Sequence, residues 1–570
     1  MRDVIVVGAG GGGAVVAKEL AERGLDVLLI EAGARFTQPE RQWSHLENEA
    51  NNPATGLFRF GRVSRVGPPW QRDLPQSSYV WQTAGVGGST LHYFGNSPRA
   101  MPGVFADFAG DRSAYDQAHL FPFGYRELVP YYERVEHVLP VQTAAMGSKE
   151  QHFLRAAGRI GLPHQTVKDI VRDSFRPQEN AILQPGGTAG RTSVRKRLVY
   201  PKATGCTFCG YCPQGCVEPP GSPRNLRAKR SVDASYFPMA MTADRWGRGR
   251  AITLATDAFV TRIHTRSEGG TLRATGVTWR VTRSGATATE EAHVVVLAGG
   301  AIETPRLWLN SGLPNPNDWV GRGLTDHWHD IVVGRMRSYT GTSKGPSSAA
   351  RADFPGYGSL EQFGTPPALM AQTLASGTGA ARMVGNRLKQ FLSDIDRLLA
   401  VVVLTDDDVQ PDYRVRLSET VAPDAHGAVA RVELPYQNRT ARTVRNREFL
   451  VRKAVELVRA AGARDVVRLN WPPVLLHIHG TMRMGTSDSD SVLDSNAEAR
   501  WVKRLFVADN SALPNSLGGP NPTLTTQALA TRTAEKIAQL YFGIQPWVGL
   551  EAPVASIDPA VTRAVREAGI

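Results

Sequence analysis

The most constraining feature lies near the start of the chain. Val4-Ile5-Val6-Val7 is a short apolar, β-branched run that reads as a buried strand. Gly8-Ala9-Gly10-Gly11-Gly12-Gly13 follows, with Gly8, Gly10 and Gly13 at the G-x-G-x-x-G spacing. Ala14 to Arg23 reads as a helix stopped by Gly24, and Val27-Leu28-Leu29-Ile30 reads as a second buried strand ending at Glu31. Together they make a complete βαβ unit. Gly8 allows a tight turn, Gly10 lets backbone approach a pyrophosphate, and Gly13 allows close helix–strand packing. The helix N-terminus faces the phosphate charge. Glu31 stands where an acid accepts hydrogen bonds from both hydroxyls of an adenosine ribose, which disfavours a 2′-phosphate. The unit therefore predicts a dinucleotide site for FAD or NAD rather than NADP, and does not choose between the first two.

Composition bounds the rest. At 570 residues the chain far exceeds the ~150-residue domain prior and can bury two or more cores. A hydrophobic share of 42% excludes disordered and fibrous classes. No uninterrupted apolar run approaches the ~18 residues of a membrane span. Met1-Arg2-Asp3 leads directly into the first strand without a leader pattern, so the expected location is the cytoplasm. Lys plus Arg is 66 against 53 for Asp plus Glu, a net charge of +13. No compact basic stretch or nucleic-acid motif accompanies it, so no nucleic-acid partner is expected, and the arginines are expected on the surface.

The four cysteines of the chain, Cys206, Cys209, Cys212 and Cys216, lie in one loop. A secreted disulfide framework would staple distant segments instead. The C-x2-C-x2-C-x3-C spacing is that of an iron–sulfur run, with Gly210 and Gly215 supplying loop dihedrals and Val217 where ferredoxin runs usually carry proline. Zinc, local disulfides and uncombined thiols are the other readings of the same loop.

Near the C-terminus, Leu505-Phe506-Val507-Ala508-Asp509 is a second strand ending in an acid. A long turn rich in Gly, Pro, Asn and Ser follows, then a helix from Thr523 to Leu540. This strand–turn–helix can close the sheet begun at residue 4, which would put Asp509 and the start of the last helix beside the cofactor. Upstream, His477-Ile478-His479-Gly480-Thr481-Met482-Arg483-Met484-Gly485 resembles the H-x-x-G-T-x-R-M-G block of the glucose–methanol–choline (GMC) flavoprotein oxidoreductases. Asn521-Pro522-Thr523-Leu524-Thr525 resembles that family's N-P-T-L-T block. Val294 to Gly312 resembles its second fingerprint, with Trp308 and Pro314 departing from the usual residues. Ala84 to His92 is similar to the segment passing the flavin ring, and Val320 to His327 is also familiar. The blocks occur in family order along nearly the whole chain.

The resemblance implies FAD as cofactor and hydride transfer from an alcohol C–H to flavin N5. It implies an α/β fold: a Rossmann-type FAD-binding domain interleaved with an α+β substrate-binding cap. Loss of the hydroxyl proton calls for a base, and histidine suits that task. By the block's register His477 is the candidate base and Asn521 its partner, able to hydrogen-bond the substrate oxygen. On a strand His479 would share a face with His477, so spacing alone does not separate them. The His/Asn version resembles pyranose oxidase-like, choline-oxidising and gluconate dehydrogenase-like members. Pyranose oxidase-like members bond the flavin covalently through a histidine at the position of His92; in others a nearby histidine makes no bond. Further cofactor contacts are expected at Gly87, Gly88, Ser89, Val260 (backbone to adenine), Ala298, Asp509, Asn521 and Thr523.

The expected FAD-binding domain comprises residues 1–100, 226–325 and 475–545. The cap comprises 101–225, with its Cys-rich loop 206–216, and 326–474. Residues 546–570 form a tail that ends in a helix-like stretch, Pro559 to Ala568. Tyr339 to Gly379, rich in Gly, Ser, Pro and Ala, reads as a mobile lid or a long insertion without structure. Tyr93, Trp328 and Trp471 are candidate pocket walls, suited to a sugar, polyol or similar alcohol. O2 or an external electron acceptor completes the reaction. A cluster in the cysteine loop would favour an electron-transferring dehydrogenase working with a small or cytochrome partner subunit, exported with a signal-bearing partner. Non-redox members of the family, lyases or photodecarboxylases, are the remaining class.

Overall fold

The expected βαβ unit forms the middle of a seven-stranded sheet. The computed structural model describes residues 1–35, 72–74, 79–185, 188–192, 198–216, 228–245, 248–471 and 474–550. The strand Arg2–Val7 pairs in parallel with Val27–Ile30 on one side and Thr287–Leu297 on the other. Thr253–Ala255 adds to the outer edge of Val27–Ile30, and Leu505–Val507 pairs in parallel with residues 295–297. The chain's two distant α/β units thus share one sheet. Val4, Ile5, Val6 and the run Val294–Leu297 are fully buried, as strands covered on both faces must be. The helices Gly13–Ala21 and Thr523–Phe542 pack against each other on one face. Ala258–Glu268, Thr271–Val281 and Thr287–Leu297 form an antiparallel meander that turns at Gly269-Gly270 and Gly285, all at positive φ.

A second sheet has six antiparallel strands in the order 465–468, 330–335, 398–405, 358–363, 350–354, 174–177. Its faces follow the two-residue period of a strand. Leu360, Val401 and Val403 join the core under the helices Ser148–Arg159 and Ala441–Ala460. Val402, Leu404 and Glu361 point the other way, onto the cavity.

Tyr339 to Gly379 is not a structureless insertion. It holds the hairpin Ala350–Phe354/Gly358–Phe363 and the helix Pro367–Ala375. Gly358 and Gly364 serve close packing. A Cβ on Gly358 (φ +134) would lie 2.1 Å from the Leu404 carbonyl oxygen. The arginines also depart from the surface expectation. Arg230, Arg306, Arg351 and Arg483 are among the largest fully buried side chains. Arg306 pairs with Asp424 at 2.9 Å and Arg351 with Asp353 at 2.7 Å, as buried charges require.

The tail begins by docking. Trp547 Nε1 donates to Glu19 at 3.1 Å, and the Trp547 and Val548 amides both donate to Glu535 at 2.7 Å. The expected helix at Pro559–Ala568 lies outside the described residues. Among those described, no helix is long and apolar enough to cross a membrane.

Gly12 abuts the end of the C-terminal strand: a Cβ there would sit 1.7 Å from the Ala508 carbonyl oxygen. Gly12→Ala is expected to cost roughly 1–3 kcal/mol or more by overpacking. Thermal unfolding should show a lower midpoint, and an unchanged midpoint would contradict this contact.

Candidate active site

One cavity runs along the C-terminal ends of the parallel strands, past Val7, Ile30 and Leu297, and continues under the six-stranded sheet. Such a crevice at a reversal of strand order is where open α/β sheets bind ligands. At one end lie Gly8, Gly10, Gly11 and Gly12, just before the helix Gly13–Ala21. That helix has no side-chain N-cap and no acid in its first turn. Its positive dipole end therefore faces the cavity. Gly10 and Gly88 come face to face; a Cβ on Gly88 would lie 2.7 Å from Gly10 Cα. Gly13 and Gly87 stand behind this surface rather than on it. Gly13 packs on the Gly8 carbonyl, and the Gly87 amide donates to the Ala9 carbonyl at 2.9 Å.

Glu31 does more than await a ribose. One carboxylate oxygen accepts from the Ala9 amide at 2.8 Å, and the other from the Gly33 and Gly85 amides at 2.9 Å each. Burial pushes its pKa up, against the pull of these backbone bonds. Val260 lines the cavity beside a register shift in the strand pairing between residues 260 and 262, where a bulge takes backbone groups out of the ladder. Ala298, Ser89 and Thr523 also line it. Asp509 reaches the cavity wall, but its carboxylate is engaged by the Gly300 amide, the Thr304 hydroxyl and Ser511. It joins the strand Leu505–Val507 to the start of the helix Gly300–Asn310.

At the far end stand His477 and Asn521, with His477 Nε2 and Asn521 Nδ2 3.4 Å apart. The segment carrying His477 is not an extended strand. The strand ends at Leu475 and the chain bends at residues 476–477. The two histidines therefore part. His477 lines the cavity, whereas His479 is fully buried, with its Nδ1 on the His477 carbonyl and its backbone bridged to Thr325. His327 Nδ1 lies 3.1 Å and His329 Nε2 lies 3.3 Å from His477 Nδ1. Burial, reinforced by the neighbouring histidines, holds the His477 pKa well below the usual imidazole range.

His92 lines the same cavity and donates from Nδ1 to the Pro213 carbonyl at 2.8 Å. Burial lowers its pKa to about 4. Tyr93 and Trp471 are cavity walls as expected; Trp328 is not, its ring lying 4.6 Å from the Arg439 and 4.2 Å from the Arg447 guanidinium.

Two buried groups were not anticipated. Glu361, on the hairpin within 339–379, accepts from Asn96 Nδ2 at 2.8 Å and pairs with Arg351 at 3.2 Å. It also bonds the Asn521 side chain, and burial raises its pKa to about 7. Lys229 is fully buried and donates to the carbonyls of Leu91, Tyr93 and Cys212, each at 2.8 Å. It joins the turn at residues 88–92 to the cysteine loop. Neither carries a sequence signal: Gly358–Phe363 (GSLEQF) shows no alternation of apolar and polar residues, and a single lysine gives none.

Cys212 and Cys216 sit in an apolar cluster with Ile182, Leu183 and Ala228, and Cys206 packs against it. None of the four cysteines is in a disulfide. Burial pushes the Cys206, Cys209 and Cys212 thiols up to about 12. Among the described residues no three or more His, Cys, Asp or Glu side chains group as metal ligands do.

Residues 174–329 and 410–530 match the two parts of the GMC oxidoreductase family, and residues 6–62 match an NAD(P)-binding Rossmann-like domain. The chain belongs to the GMC oxidoreductases. It is 28% identical to a 2-methyl-1,2-propanediol dehydrogenase of Mycolicibacterium austroafricanum, over 95% of this chain and 96% of that protein. It is 27% identical to a 6'''-hydroxyparomomycin C oxidase of Streptomyces lividus, over 94% and 91%. A solved structure of pyridoxine 4-oxidase from Mesorbium loti shares its fold with a TM-score of 0.60 at 19% identity, covering 96% of this chain and all of that one. FAD is the cofactor of this family, and the glycine cradle without room for side chains, the uncapped helix and the buried acid at Ile30's end fit it. Glu31→Gln turns one acceptor oxygen into a donor facing a backbone N–H. It is expected to weaken FAD binding about ten-fold, the equivalent of ~1.4 kcal/mol, within the usual penalty for an unmet buried partner. Titration of the apoprotein with FAD measures this, and unchanged affinity would contradict it.

Proposed function

We propose that this GMC oxidoreductase oxidises a CH–OH group of a sugar or other polyol to the carbonyl, with His477 as base and Asn521 as its partner. The observation that carries the reading is the 3.4 Å separation of His477 Nε2 and Asn521 Nδ2 on the cavity wall. A single hydroxyl oxygen between them can donate its proton to the imidazole and accept from the amide. Bound FAD supplies the hydride acceptor. The chain's own residues hold and orient. The Gly8–Gly12 cradle and helix Gly13–Ala21 take the pyrophosphate, Glu31 the ribose, and the Val260 backbone the adenine. Gly88, Ser89, His92 and Thr523 bound the ring end. His477 is neutral because burial disfavours its charged form, so it is ready to take a proton.

The polyol reading rests on the substrate end of the cavity. Tyr93 and Trp471 offer aromatic faces, and Glu361 and His329 offer polar groups among apolar side chains. Two of the relatives are named for a diol and for hydroxyparomomycin C. We assign residues 101–225 and 326–474 as the cap, whose second part supplies His329, Glu361 and Trp471, and 1–100, 226–325 and 475–545 as the FAD domain, which supplies Tyr93. Reoxidation by O2 or by an external acceptor ends the cycle.

Anaerobic addition of the right polyol should bleach the flavin; no bleaching by any sugar, polyol or amino alcohol, with bleaching by fatty alcohols alone, would contradict the substrate class. His477→Ala should slow flavin reduction about 10²–10⁴-fold, and His479→Ala far less, by stopped-flow; the reverse order would sink the assignment. The base must be neutral to work, and its pKa is depressed. The reduction rate should therefore hold as pH falls through 6.5 and drop only well below it. An acid limb at or above 6.5 would contradict a buried base.

A further inference from the structure

The three histidines around His477 are more than packing. His327 is fully buried and sits in the left-handed region at φ +49, a conformation uncommon outside glycine and characteristic of functional sites. Its Nε2 lies 2.7 Å from the Ser516 carbonyl oxygen. A carbonyl only accepts, so Nε2 carries the hydrogen. In a neutral ring the lone pair is then on Nδ1. Burial, with His479 and His329 close by, keeps His327 neutral. That lone pair lies 3.1 Å from His477 Nδ1. Two lone pairs do not face each other at hydrogen-bond distance, so His477 Nδ1 must carry a hydrogen. The His477 lone pair is therefore on Nε2, the nitrogen that meets Asn521 Nδ2 at 3.4 Å on the cavity wall.

We infer that His327 is a positioning residue that fixes the tautomer of His477, so that the basic nitrogen is the one presented to substrate. The inference rests on the reading of His477 as base. The relay is closed by one turn: Ser516 accepts from His327, and Asn521, five residues on, meets the other end of His477. Ser516 is itself anchored, its hydroxyl donating to Asp406 and lying 2.9 Å from the Asp407 carbonyl. His329 Nε2, at 3.3 Å, is a second acceptor for the same Nδ1 hydrogen. Which nitrogen of a histidine is protonated is set by the bond that the other makes; without His327, the His477 ring loses its nearer acceptor and is free to carry its proton on Nε2.

The test uses the FAD-loaded enzyme. ¹⁵N spectra of the wild type, with the His477 ring assigned by its loss in His477→Ala, should show His477 protonated on Nδ1; protonation on Nε2 would overturn the proposal without any His327 variant. His327→Ala should slow anaerobic flavin reduction about 10²-fold or more, with FAD content and KM retained, and added imidazole should restore at least a tenth of the wild-type rate. His327→Gln, whose amide can donate to Ser516 and accept from His477, should recover most of the loss. A slow His327→Ala that neither imidazole nor glutamine improves would also overturn it, marking a merely structural role. If His477→Ala itself reduces flavin at the wild-type rate, the base reading fails instead, which separates the two failures.

Discussion

The site depends on one buried carboxylate. Glu31 accepts from the backbone N–H groups of Ala9, Gly33 and Gly85. Those amides belong to the glycine turn, to the loop after the second strand, and to the segment that leads into the turn at residues 88–92. The glycines are needed because these three segments meet without space for side chains, as at Gly10 and Gly88. The same contact that shapes the pyrophosphate cradle therefore also sets where Gly88, Ser89 and His92 stand.

Parallel pairing of Leu505–Val507 with residues 295–297 does the corresponding task at the other end. It brings the long turn 510–522 under the six-stranded sheet, so Ser516 and Asn521 reach His327 and His477. Buried polar groups in this region are joined to one another rather than left to solvent. Glu361 links Asn96, Arg351 and Asn521. Lys229 and His92 link the turn at residues 88–92 to the cysteine loop through the carbonyls of Cys212 and Pro213. The cysteine loop is thereby held against that turn, with its thiols packed as small apolar groups.

Much of the frame was legible because its signals are local. The βαβ unit, the meander with its turns at Gly269-Gly270 and Gly285, and the last helix each follow from a short-range pattern of apolar periods and glycines. What was not legible depends on distant residues meeting. The segment 339–379 is rich in glycine and serine and so reads as loose, yet Gly358 is a glycine because Leu404 and Gly519 approach its backbone. Trp328 was expected on the cavity but stacks between two arginines brought from residues 439 and 447. The arginines of the basic excess were expected outside, yet several are buried against acids far along the chain. His477 and His479 were inseparable on an assumed strand, and a bend at residues 476–477 divides them.

The central claim is that one alcohol oxygen is held between His477 and Asn521. A crystal structure of the holoenzyme with a non-reacting polyol analogue tests it most directly. The expected result is a hydroxyl oxygen within hydrogen-bond distance, about 2.6–3.2 Å, of both His477 Nε2 and the Asn521 side chain. A ligand whose hydroxyls contact neither group, or a His477 turned so that Nε2 no longer faces the cavity, would contradict it.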